Sequence, residues 1–156
     1  MPKIFFYGTL RKENPEDHPD FITRASFQGR LFKPDGAWFP AAVPSDDPDD
    51  HIIGEIYHID NPATYDGYEG YYPKHPENSL YVRKEVDFII PKGSKIWTLT
   101  RINNSIERIE LVAQDKFKLP AWIYLYNRSL TDAKRIHSGN WIEYINTIDK
   151  KEMHVG

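Results

Sequence analysis

Apolar and polar residues alternate along much of the chain instead of recurring every third or fourth position, and a two-residue period predicts half-buried strands. His51 to Ile59 shows it most clearly, with Ile53, Glu55, Tyr57 and Ile59 on one face and Ile52, Gly54, Ile56 and His58 on the other. Leu80 to Ile90 is the longest such run, setting Val82, Lys84, Val86, Phe88 and Ile90 against Tyr81, Arg83, Glu85, Asp87 and Ile89. Ala25 to Phe32 also alternates, and Pro34-Asp35-Gly36 marks a turn after it. Two further segments are apolar without alternation: Lys3 to Tyr7, an interior strand, and Leu119 to Tyr126, a strand buried on both faces. Lys95 to Ile102 and Ile106 to Ala113, joined by Asn103-Asn104-Ser105, read as a hairpin. Ala37 to Pro44 is apolar but broken by proline, which predicts an irregular edge segment. Arg11 to Asp20, rich in charge and proline, reads as a loop.

Helical signals are few. Asn61-Pro62 pairs an N-cap residue with proline at the first helical position and predicts a short helix through about Tyr68. Ser138-Gly139-Asn140 precedes Trp141, Ile142, Ile145 and Ile148 at helical spacing, which predicts an amphipathic helix. Strands joined by short turns outnumber helices, so the expected fold is α+β: a mainly antiparallel sheet, curled or closed, with one or two short helices packed on it.

Composition narrows the function classes. A chain of 156 residues with 40% hydrophobic and 14% aromatic content is expected to form a single domain, 1–156, with a packed core. A net charge of −3 offers no general attraction to nucleic acid or to anionic lipid. The absence of cysteine removes disulfides, thiolate nucleophiles and cysteine-type zinc sites. The six histidines show no ligand spacing, so no metal site is expected. The acidic cluster Asp46 to Asp50 lacks the glycine and bidentate glutamate of a calcium loop and reads as a solvated turn. No window approaches the roughly 18 apolar residues of a membrane span, and Met1-Pro2-Lys3-Ile4 leads directly into a strand; the expected location is cytoplasmic.

Two stretches carry candidate chemistry. In Phe5-Phe6-Tyr7-Gly8-Thr9-Leu10-Arg11 a strand runs into a glycine and a hydroxyl residue. This is either an ordinary strand-to-loop turn or a place where the N–H groups of Gly8, Thr9 and Leu10 form an anion-binding nest, with Gly8 at positive φ or letting a ligand approach. In Asp66-Gly67-Tyr68-Glu69-Gly70-Tyr71-Tyr72-Pro73, Glu69 is either a carboxylate desolvated among aromatic rings and poised for proton transfer, or a surface residue before a glycine C-cap.

Tyr7-Gly8-Thr9-Leu10-Arg11, Phe39-Pro40-Ala41, Gly54-Glu55-Ile56-Tyr57, Tyr68-Glu69-Gly70-Tyr71, Leu80-Tyr81-Val82-Arg83 and Ala121-Trp122-Ile123-Tyr124, in this order and spacing, resemble the γ-glutamylcyclotransferase-like family, also called the AIG2-like or gamma-glutamylamine cyclotransferase family. The Ser138-Gly139-Asn140-Trp141 ending is similar to that of several bacterial-type members. The resemblance implies a compact, largely closed mixed β-barrel with a cavity at the end of the first strand. It implies that Tyr7, Gly8, Thr9 and Leu10 hold the glutamyl portion of a small γ-glutamyl substrate, that Glu69 is the catalytic acid and base, and that Tyr81 and Tyr124 line the pocket. The implied reaction uses the substrate's own α-amino group as nucleophile, so no cofactor or metal is implied. Two features depart from the family pattern. Lys95 to Ala113 adds a hairpin, expected to reshape or cover one side of the cavity, and Lys12-Glu13-Asn14 stands where many members soon have glycine. A binding protein without turnover on the same fold is one alternative. A two-carboxylate hydrolase using Glu69 with Glu55 or Asp66 is another.

Overall fold

The computed structural model describes residues 2–152. Its first strand, β1 (Lys3–Phe6), is central because both its faces are covered. Phe5 and the following Tyr7 enter one hydrophobic cluster with Ile52, Ile56, Phe88 and Ile123, while Ile4 and Phe6 enter a second with Phe21, Tyr57, Tyr81 and Tyr124. That double burial is why the segment is apolar throughout.

The other strands are β2 (Phe21–Lys33), β3 (Ala41–Pro44), β4 (His51–His58), β5 (Tyr81–Ile90), β6 (Lys95–Ile102), β7 (Ser105–Val112), β8 (Phe117–Tyr126) and β9 (Lys134–Ile136). The main sheet runs β3-β2-β4-β1-β8-β5, with β9 on the far half of β2. Pairing is antiparallel except between β1 and β8, which run parallel through Ile4 and Trp122. The sheet curls into a half-barrel that brings β3 against β8 and β2 against β5. The helices are α1 (Asp66–Glu69) and α2 (Trp141–Glu152). Among the described residues no helix is long and apolar enough to cross a membrane.

Several boundaries differ from the sequence expectation for identifiable reasons. β2 begins at Phe21, not Ala25, because a register shift against β4 between Phe21 and Thr23 interrupts the alternation. β9 has three residues, too few to show a period. In 37–44 only Ala41–Pro44 pairs, at the sheet edge. The loop 11–20 contains a 3-10 turn at Pro15–Asp17. The helix after Asn61 is split into a 3-10 turn, Pro62–Tyr65, and the single turn α1; Asn61 Oδ1 caps the first piece by accepting from Ala63 N at 2.9 Å.

The hairpin is present, with a shorter connection than expected. Ile102 pairs with Ser105, so Asn103 and Asn104 alone form the turn, at φ of 50° and 68°. Both central residues at positive φ is the arrangement that suits the twist of a two-residue hairpin. The β6–β7 ladder prolongs the β5–β8 ribbon, linked by Gly93 N to Ala113 O at 2.8 Å and Ala113 N to Ser94 O at 2.9 Å. The ribbon bends at Pro91-Lys92-Gly93, where Gly93 has φ of 88°, and lies against β2. Thr23 Oγ1 donates to Lys95 O at 2.9 Å, and Arg108, stacked on Trp97 at 4.3 Å, donates to Glu16 O at 2.9 Å.

Candidate active site

β1 ends at a cavity of about 280 Å³ whose walls come from residues distant in the chain. The turn after β1 forms one side: Arg11 N donates to Gly8 O at 3.0 Å, closing Gly8 to Arg11. Among the described residues the N–H groups of Gly8, Thr9 and Leu10 have no protein acceptor. Gly8 does not have positive φ; it is required for a different reason. A Cβ there would lie 2.5 Å from Cγ of Pro40, so only glycine lets the turn sit against the opposite wall. Gly8→Ala is expected to cost roughly 1–3 kcal/mol, typical of overpacking, and to displace the turn; urea denaturation and the KM for any turned-over substrate check both.

The turn is fastened from beneath. Arg11 Nη2 lies 2.9 Å from Glu55 Oε2, its Nε reaches both carboxylate oxygens, and its Nη1 donates to Asn140 Oδ1 at 3.0 Å. Asn140 Oδ1 also accepts from Glu143 N at 3.2 Å at the start of α2. One buried guanidinium thus ties the turn to β4 and to the C-terminal helix.

Glu69 faces the cavity from α1. A four-residue helix has little intrinsic stability, and this one is held by Asp66. Arg83 Nε donates to Asp66 Oδ1 at 2.9 Å and Nη2 to Oδ2 at 3.2 Å; Tyr124 OH donates to Oδ1 at 2.6 Å. The Arg83 guanidinium lies 4.7 Å from the Trp122 ring and 5.6 Å from that of Tyr71. Gly70 ends the turn at φ of 64°, the conformation that favours glycine. Glu69 is therefore both the residue before a glycine cap and a cavity carboxylate. Among the described residues nothing hydrogen-bonds or ion-pairs with it, and burial alone pushes its carboxyl up to about 7.

The surrounding tyrosines have committed their protons. Tyr7 OH donates to Tyr124 O, Tyr124 OH to Asp66, and Tyr81 OH to Pro40 O. Burial first, then neighbouring Tyr81 and Glu69, raises Tyr7; burial first also raises Tyr81 and Tyr124. All three hydroxyls stay neutral, and what they present to a ligand is oxygen lone pairs. Thr9 Oγ1 and Tyr68 OH, 3.2 Å apart, link the turn to α1.

Tyr7, Gly8, Thr9, Leu10, Glu69, Tyr81 and Tyr124 all line this one cavity. Trp38, Phe39, Pro40, Tyr68 and Leu80 line it too and were not singled out from sequence as pocket residues. Asp66 and Arg83, which hold α1, were also missed as supports; an acidic residue one helical turn before Glu69 was the available signal. Among the described residues no second carboxylate lines the cavity as a hydrolase pair would require. Glu55 and Asp66 do not line the cavity, and each is bound by an arginine. The 95–113 hairpin contributes no lining residue either, because the bent ribbon packs on β2; it covers no side of this cavity.

The family model described as gamma-glutamyl cyclotransferase, AIG2-like, matches residues 4–143. Among solved structures the chain is similar to YkqA from Bacillus subtilis, at 21% identity and a TM-score of 0.51. That match covers 96% of this chain and 42% of YkqA, so the chain spans less than half the length of that relative. It is also similar to At5g39720.1 from Arabidopsis thaliana, at 17% identity and a TM-score of 0.46, over 97% of this chain and 85% of the other. The likeness to YkqA is one of fold. No curated protein matches the chain.

Proposed function

Because the chain belongs to the gamma-glutamyl cyclotransferase, AIG2-like family, we propose that it cyclises the glutamyl portion of a small γ-glutamyl substrate to 5-oxoproline and releases an amine. The observation that carries this reading is Glu69: an unpaired, largely desolvated carboxylate in the same cavity as the unbonded N–H groups of Gly8, Thr9 and Leu10. In this reading the lone pairs of Tyr7, Tyr81 and Tyr124 accept from the α-ammonium. The N–H groups of the turn receive a substrate oxygen, either the carboxylate or the oxyanion that develops on the γ-carbonyl.

Glu69, ionised, takes a proton from the α-ammonium. The free amine attacks the γ-carbonyl carbon, and the lactam C–N bond forms. Glu69 then gives that proton to the departing nitrogen as the γ-amide C–N bond breaks, and the second proton of the ring nitrogen passes to the released amine, which leaves as an ammonium. Holding the extended substrate bent contributes several kcal/mol through orientation. The nucleophile comes from the substrate, consistent with a chain that has no cysteine.

The test is incubation with γ-glutamyl amino acids, γ-glutamyl amines and ε-(γ-glutamyl)lysine, with 5-oxoproline read by mass spectrometry. Turnover of any member supports the proposal; tight binding of a member without product makes the protein a binding module on this fold. With a turned-over substrate, kcat/KM should rise with unit slope up to about pH 7, where burial places the Glu69 carboxyl. At pH 5 only about one molecule in a hundred would carry the ionised base, an expected loss of about 100-fold. An acidic limb centred near the ordinary carboxylate range would remove Glu69 as the base.

A further inference from the structure

The cavity lining is mixed in chemistry. Its buried members include Tyr7, Tyr81 and Tyr124, and Glu69 is the only charged side chain among the lining residues. Two of its exposed members are aromatic: Tyr68, whose hydroxyl is engaged with Thr9, is 65% exposed, and Trp38 is 57% exposed. A large apolar ring held at a cavity mouth in contact with water is a surface waiting for a partner.

Lys33, at the end of β2, stands over that ring with its Nζ 4.9 Å from the centroid. Among the described residues no carboxylate pairs with Lys33. Its strand neighbour increases the local positive charge, because Lys33 lies directly opposite Lys134 of β9. Like charges in opposed positions of a ladder are unfavourable. β2 therefore ends in a partly buried cation that, among the described residues, has no carboxylate partner and stands against an aromatic ring of the cavity lining.

Building on the cyclotransferase reading, we infer that Trp38 and Lys33 recognise the leaving portion of the substrate and select leaving groups that carry a carboxylate. γ-Glutamyl amino acids and peptides are then preferred over γ-glutamyl compounds whose leaving group is neutral. Trp38 supplies a flat apolar contact for the leaving side chain, and Lys33 supplies the counter-charge. Among the lining residues the only acidic side chain that could oppose such a carboxylate is Glu69.

The decisive experiment compares two compounds that differ only in that charge, γ-glutamylalanine and γ-glutamylalanine amide, by 5-oxoproline release. The wild type should favour the acid by tenfold or more in kcat/KM, a preference that shrinks as salt is raised. Lys33→Met keeps the aliphatic stem and should bring the ratio close to one, through KM of the acid and not through kcat. Lys33→Arg should restore the preference, which separates charge from folding. Trp38→Ala should raise KM for both compounds. A wild-type ratio near one, or a ratio that Lys33→Met leaves in place, overturns the inference while the cyclotransferase reading stands. Absence of product from both compounds in the wild type overturns the inference, and silence across the whole γ-glutamyl panel overturns the cyclotransferase reading with it.

Discussion

Glu69→Gln is expected to abolish 5-oxoproline formation and, at pH 8, to make the protein more stable than the wild type. Loss of a positioned acid–base group costs on the order of 10²–10⁴ in rate, and among the lining residues of this cavity there is no other carboxylate to substitute. The stability gain follows from the same burial. The Glu69 carboxyl ionises near 4.5 in the unfolded chain and at about 7 in the fold, so between those values the folded state binds more protons. Wild-type stability therefore falls as pH rises from about 4.5 to about 7, and the full loss is present above 7. A shift of this size corresponds to at most about 3 kcal/mol at 1.36 kcal/mol per pKa unit. The glutamine amide, itself partly buried without a partner, returns about 1–2 kcal/mol of that. A net gain on the order of 1–2 kcal/mol at pH 8, absent near pH 4.5, should appear in urea denaturation at the two pH values. Full activity in Glu69→Gln would sink the mechanism, and an unchanged pH dependence of stability would show that Glu69 is not desolvated.

Arg11→Met should be the most destabilising single change in the site region. It leaves Glu55 fully buried without its partner, strips one hydrogen bond from Asn140, and frees the turn that carries Gly8, Thr9 and Leu10. Breaking a buried pair by removing one partner costs roughly 3–5 kcal/mol. Burial already raises the Glu55 carboxyl against the pull of Arg11, and without the guanidinium it rises further. The loss should accordingly be smaller at pH 5, where Glu55 can take up a proton, than at pH 8. The exposed pair Arg24–Glu16, at 2.6 Å, is the control. Its disruption by Arg24→Met should change stability by less than about 1 kcal/mol. A comparable loss from the two variants would show that the Arg11 pair does not anchor the turn.

The two predictions concern one arrangement seen from opposite sides. In the proposed mechanism Glu69 serves because, among the described residues, nothing neutralises it, and that vacancy reduces stability. Arg11, Glu55, Asp66, Arg83 and Tyr124 are fully engaged with one another, and they hold the turn and α1 in place around it. In the proposed mechanism function rests on one unsatisfied carboxylate inside a satisfied frame.

Much of the framework is legible without coordinates, because strand alternation, Asn61-Pro62 and Asn103-Asn104 are patterns among neighbours in the chain. β1, β4 and β5 end within a residue of where alternation and apolar continuity place them. The extension of β2 and the short β9 lie outside that logic, since each depends on the strand it meets. The site divides in the same way. Residue types and their order mark Tyr7-Gly8-Thr9-Leu10 and Glu69 as candidates, but Gly8 is a glycine because of Pro40, and Tyr7 donates to a carbonyl 117 residues away. The raised carboxyl of Glu69, the committed tyrosine protons and the bare Trp38 rim arise only when β1, α1, β5 and β8 converge. The sequence by itself determined most of the elements and the candidate chemistry, because short-range sterics and periodicity reside in adjacent residues. Only the tertiary structure decided which of those groups lose water and which find a partner, because desolvation and hydrogen bonding are set by neighbours in space.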